Sequence, residues 1–141
     1  MTKSFKGRGL IPGDVSGVAL LSRKAFTFAH GVDPSSGNVT DVRSDIKGEN
    51  VKGKVLFYPF GKGSTTASAW FLETARQGNL PAAIVTESTD LSAVIGSTLA
   101  KIVYGRSIPV ASSFPKEMYS SLKTGKRVSL RGTEGELVIS E

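Results

Sequence analysis

From Val55 to Ala111 the chain alternates strand and helix patterns with short connections, and that order constrains the fold more than any other feature of the sequence. Val55–Phe60 is an apolar run of strand composition, and a helical pattern with Ala69, Leu72 and Ala75–Arg76 on one side follows, closing at Gly78. After Pro81, Ala82–Thr86 reads as a second buried strand. Leu91, Val94, Ile95, Leu99, Ile102 and Val103 then mark a second helix, which stops at Gly105, and Ile108–Ala111 reads as a third strand. Strands joined through helices by such short loops become parallel neighbours with right-handed crossovers. Glycines at 78 and 105 are the expected helix stops, because glycine takes the left-handed backbone that ends a helix without steric cost.

The flanks have a different character. Gly7–Gly17 is punctuated by glycine, with Pro12-Gly13 as a turn signal, and Val18–Ser22 reads as a short strand. Phe26-Thr27-Phe28 alternates as a further strand would. Gly31–Asn38 is a loop of turn residues in which Asp33 is expected to cap its own turn, and Asp41–Lys54 is charged with little periodicity. Arg127–Arg131 and Glu136–Ser140 alternate on either side of Gly132–Gly135, which is a hairpin signal. The 141 residues are read as one mixed α/β domain, with β-rich ends around the β-α-β-α-β centre. A chain of this size buries about 70% of its unfolded surface, enough for a core without covalent staples.

Composition excludes several kinds of chemistry. There is no cysteine, so the chain carries no disulfide, no thiol nucleophile and no thiolate ligand for zinc or an iron–sulfur cluster. A lone histidine, His30, argues against a self-contained zinc site. No secretory signal and no long apolar span is found, which leads us to expect a cytoplasmic protein. The net charge of +6 comes from dispersed lysines and arginines without aromatic interleaving, a pattern of solvated surface rather than of a nucleic-acid face. An anionic small molecule remains compatible with it.

Gly61-Lys62-Gly63-Ser64-Thr65-Thr66-Ala67-Ser68 lies where the first of these strands ends and the first helix starts. Exposed N–H groups and the positive end of the helix dipole meet at such a place, so it suits an anion. The loop is not a Walker A motif, since Leu56 stands where that motif needs its first glycine and Gly63 follows the lysine. It is not a G-x-S-x-G elbow either, because Gly63 directly precedes Ser64. Local composition makes Ser64 first of all a helix cap. The functional alternative is that the turn amides, Lys62 and the helix end stabilise negative charge on a bound anion or on a serine oxygen acting as a base. Glu87 and Asp90 follow a strand's carboxyl end, a usual place for site residues and also an ordinary loop.

Five segments, GLIPGDVSGVALLS, GVDPSSGNVTD, GKVLFYPFGKGSTTASAWFLE, LPAAIVTES and YGRSIPVASS, resemble in order and spacing the small-subunit family of aconitase X, over roughly residues 7 to 115. The resemblance implies a swivelling β/β/α domain, aconitase swivel-like, with a mixed sheet or barrel and flanking helices. It implies a large partner subunit that carries a [4Fe-4S] cluster on its own cysteines, with no cofactor and no metal bound by this chain. It places the proton-abstracting base at Ser64, with Lys62, Gly63, Thr65 and Thr66 around the substrate. The implied reaction removes water from (R)-5-phosphomevalonate to give trans-anhydromevalonate 5-phosphate in an archaeal mevalonate route to isoprenoids. Arg43 departs from the family, in which a histidine often stands two residues after the aspartate matched by Asp41. The alternatives are a hydroxyproline dehydratase of the same family, a phosphoryl-carrier swivel domain using His30, and a non-catalytic anion-binding module.

Overall fold

The computed structural model describes residues 2–140. Among them the elements run β1 (Thr2–Lys6), β2 (Arg8–Ile11), β3 (Asp14–Leu21), β4 (Val55–Tyr58), α1 (Thr65–Arg76) and β5 (Ala83–Thr86). They continue with α2 (Leu91–Tyr104), β6 (Val110–Ser112), α3 (Lys116–Ser121), β7 (Arg127–Arg131) and β8 (Glu136–Ser140). The strands form one mixed sheet in the order β1-β8-β7-β3-β4-β5-β6-β2. Its centre, β3-β4-β5-β6, is parallel, as the alternating pattern from Val55 onward requires. The hairpin read at the C-terminus forms within the same bounds, Arg131 opposite Glu136.

β3 joins the two halves of the sheet. Asp14–Val18 pairs antiparallel with β7, and Ala19–Leu21 pairs parallel with β4. Because successive strand residues face opposite ways, the central strands feed two cores. Val55, Phe57, Ala83 and Val85 join Leu130, Leu137, Met118 and Leu122 on the face that carries α3. Leu56, Tyr58 and Ile84 join Phe71, Ala93, Phe26 and Phe28 on the face that carries α1 and α2. The core strands β4 and β5 are buried at every position, the mark of a parallel sheet covered on both faces.

β2 and the first half of β3 form inside the glycine-punctuated Gly7–Gly17 segment, and three further features differ from the sequence reading. Phe26-Thr27-Phe28 is not a strand: Phe26 makes a single bridge to Gly61, and both rings turn into the second core, 5.7 Å apart edge to face. β1 and α3 carry no sequence signal, since TKSFK is a polar edge strand and six residues of α3 are too few to display a period. The third concerns α2. Of the large apolar residues that identify the helix only Val94 packs against the core; the buried residues are Ala93, Gly96, Ser97 and Ala100. Small residues are needed there because α2 lies close against α1 and the sheet. A Cβ at position 96 would come within 2.7 Å of the Phe71 ring. Ser97 is tied to the chain entering β6, its hydroxyl donating to the Ile108 carbonyl at 2.9 Å and accepting from the Ile108 N–H at 3.0 Å.

Gly96→Val therefore overpacks an interface whose Phe71 ring is almost fully buried. We expect a loss of about 1–3 kcal/mol, read as a lower urea midpoint with an unchanged denaturant slope. An unchanged midpoint would show that the α1–α2 contact is looser than described.

Candidate functional site

β4 and β5 end side by side, and the helices that follow them start there, so two helix N-termini converge at the carboxyl edge of the parallel strands. The junction is held by short polar side chains. The Ser92 hydroxyl donates to the Ser64 carbonyl at 3.1 Å, and the Ser68 hydroxyl donates to the Ser92 carbonyl at 3.1 Å. Lys62 N–H donates to the Phe26 carbonyl at 3.0 Å, anchoring the loop from its other side.

Asp90 organises the floor of this junction. One carboxylate oxygen caps α2 by accepting from Ser92 N–H at 3.1 Å, and the other accepts from the Tyr58 hydroxyl at 2.6 Å. Burial, followed by the Asp90 charge, pushes the Tyr58 phenol well above its usual range, so Tyr58 stays a donor. The carboxylate lies directly under Gly61, where a Cβ would stand 2.4 Å from it. At Gly63 a Cβ would meet Ala67 at 2.4 Å and the Thr27 hydroxyl at 2.8 Å. Both glycines of the loop are thus set by close approach. Asp90 is a structural anchor rather than a group facing solvent, being 9% exposed.

Ser64 is the N-cap of α1, and its hydroxyl accepts from Thr66 N–H at a long 3.3 Å. Lys62, Gly63, Ser64, Thr65 and Thr66 are all exposed. Among the described residues, the N–H groups of Gly63 and Ser64 have no acceptor. The loop therefore presents a hydroxyl, backbone donors and a helix start at one place, which is what binding an anion or stabilising an oxyanion needs. Beneath the loop there is no room: Gly63, Ala67, Phe71, Asp90 and Ala93 are packed against one another without space for water. A groove of about 470 Å³ lies elsewhere, between Asp33–Ser35 and the Trp70–Gln77 side of α1.

Lys62 is not available as a lone cation. Its ammonium pairs with the Asp41 carboxylate at 2.8 Å, joining the loop to the GVDPSSGNVTD segment. Arg43, two residues on, contributes its backbone N–H, at 2.9 Å, and a smaller effect of its charge. Lys62 and Asp41 stand 21 positions apart, and nothing local in the sequence joins them; the fold brings them together. The hydrogen bond from Lys62 and then the Arg43 N–H hold the Asp41 carboxyl below its ordinary value of 3.8. Asp33 caps its own turn as expected, accepting from Ser35 N–H at 3.0 Å. His30 stands on the Trp70 ring with centroids 4.5 Å apart and a left-handed backbone, φ 56°. Glu87 lies 3.9 Å from Lys116 and takes no part in the loop.

The aconitase X swivel domain family model matches residues 4–139. The phosphomevalonate dehydratase small subunit of Pyrococcus furiosus is 38% identical over 135 residues, 96% of this chain and 94% of that one. The protein of the same name from Methanosarcina acetivorans is 35% identical over 131 residues, 93% and 87% of the two chains. The crystal structure of Thermococcus kodakaraensis aconitase X in its holo-form superposes with a TM-score of 0.88 at 34% identity, covering 99% of both chains.

The Lys62–Asp41 pair gives a pH prediction. A carboxyl whose pKa is depressed on folding stabilises the fold above its unfolded pKa, and that contribution is lost as pH falls through the folded value. We expect the Asp41 carboxyl to titrate below 3.8 in a side-chain NMR titration, and to move back up in Lys62→Met. Titration at the ordinary value in both proteins would show that the pair is absent in solution.

Proposed function

We propose that this chain, which belongs to the aconitase X swivel-domain family, is the small subunit of a hydro-lyase that dehydrates (R)-5-phosphomevalonate to trans-anhydromevalonate 5-phosphate. The observation that carries the reading is an exposed Ser64 at the N-cap of α1, over a floor packed without space for water, a half-site that another chain has to cover. Matches to phosphomevalonate dehydratase small subunits over nearly the whole chain support the substrate and the existence of a large subunit.

The residues of this chain do not fit an iron–sulfur cluster. It has no cysteine, and among the described residues no three His, Asp or Glu side chains gather where a metal ion could be held. In our reading the cluster belongs to the large subunit, and the work done here is proton removal and anion binding. The Ser64 oxygen takes a proton from C2 of the substrate, the C2–H electron pair becomes the C2=C3 double bond, the C3 hydroxyl departs as hydroxide, and the proton held by Ser64 joins it to make the water released. A serine oxygen is a competent base only where its negative charge is held, and the Gly63 and Ser64 amides together with the α1 N-terminus supply that field. Lys62 is held beside the loop by Asp41, in reach of an anionic substrate group. Thr65 and Thr66, in the first turn of α1, are placed for further polar contacts.

The test is anaerobic co-expression with the cognate large subunit and an assay of phosphomevalonate dehydration. Activity is expected from the pair and from neither chain alone. Ser64→Ala should lower kcat by about 10²–10⁴-fold, the range for loss of a positioned base, while the pair still co-purifies. Near-normal turnover in that variant would leave Ser64 as a helix cap and overturn the base assignment.

A further inference from the structure

The outward face of α2 is apolar at both ends, interrupted by Thr98, and its Leu91, Ile95, Ile102 and Val103 belong to neither core. Leu91 is 67% exposed, Ile95 47%, Ile102 74% and Val103 55%. Lys101 is the helix's one charged residue. The other exposed faces of the molecule look different: β1 presents Lys3, Ser4 and Lys6, and β7 presents Arg127 and Arg131 at its ends. Nothing in the packing of α2 needs these side chains, because Ala93, Gly96, Ser97 and Ala100 make its contacts with α1 and the sheet. A soluble surface rarely spends four large apolar residues on one helix face without a use for them.

The position of the face identifies what covers it. α2 begins at the Ser64 loop, where Ser92 donates to the Ser64 carbonyl. Leu91 is its next neighbour in sequence. Phe60, directly before the loop, is 52% exposed, and Val42, next to the Asp41 that pairs with Lys62, is 75% exposed. Val42, Phe60 and Leu91, each exposed and each next in the chain to a residue of the loop or one bonded to it, make a partial apolar collar, and the apolar surface continues along α2 for roughly 21 Å. We propose that this collar and the outward face of α2 form the surface on which the large catalytic subunit docks. The assignment rests on the shared-site reading above and gives it a location. A second copy of this chain is a poorer occupant, because it has no cysteine and would bring no cluster to the Ser64 loop.

The experiment measures association anaerobically with the cognate large subunit, using full-length chains. Ile95→Glu and Ile102→Glu place a charge in an interface that has to be dry, and each is expected to weaken association by about 30-fold or more, as loss of a central anchor does. Lys3→Glu, on the far edge of the sheet, should change it by less than about 3-fold, as rim and remote charges do. Because both isoleucines are exposed, thermal melts of the isolated variants should match the parent chain. Wild-type association in Ile102→Glu would overturn the proposal. So would a parent chain that sediments as a dimer and becomes monomeric on that substitution, which would assign the face to a second copy. If the pair assembles through α2 but does not dehydrate phosphomevalonate, the functional reading fails and the docking surface stands. If the variants assemble and turn over normally, the reverse holds.

Discussion

The buried Asp90 carboxylate is the constraint on which the site depends. Its two oxygens tie together the end of β4, through the Tyr58 hydroxyl, and the start of α2, through Ser92 N–H. A hydrogen bond to a charged acceptor contributes about 1.5–3 kcal/mol, and this one is fully enclosed at its Tyr58 end. The same carboxylate excludes a side chain at position 61, so the loop must cross it as bare backbone. The loop then passes close to Thr27 and Ala67 at Gly63 and delivers Ser64 to the cap of α1. The carboxylate thus acts at a distance from Ser64 by fixing where the backbone can go.

How much of this could be read in the chain depends on whether the determining contacts were local. The β4-α1-β5-α2 order and the hairpin were legible because period and glycine punctuation are local signals, and Gly105 indeed takes the left-handed conformation that stops α2, φ 67°. The direction in which α2 faces was not legible. A hydrophobic period identifies a helix but does not say whether the apolar stripe or the small-residue stripe meets the sheet. Here close approach to Phe71 decides in favour of the small one. The loop around Ser64 was visible as a strand-to-helix junction, whereas the partner of Lys62 was not. That pair depends on Val32–Val39 and Asn38–Asn50 bridges folding the Asp41 segment back beside the loop.

Both features depend on contacts between residues far apart in the chain, which only the topology brings together. Arg43 lies two residues from Asp41 and gives it a backbone hydrogen bond, while the Lys62 ammonium reaches it across the fold. The consequence for charge is direct. A lone Lys62 would bring a full positive charge to the loop, but the paired one brings mainly a dipole. The positive potential at Ser64 is then carried chiefly by backbone N–H groups and the α1 terminus, which cannot be titrated away.

That choice of field suits a half-site. Backbone dipoles are weak in water, where the dielectric screens them, and strong once water is removed. On the exposed surface of this chain Ser64 is an ordinary hydroxyl, accepting one long hydrogen bond from Thr66. Since the loop is packed from below without space for water, covering it from above is the step that dries it. An apolar collar does that better than a charged one, because it sheds water without competing for the amides. In the proposed assembly, docking and activation of the base are therefore a single event: the surface that binds the partner is also the surface that changes the dielectric around Ser64.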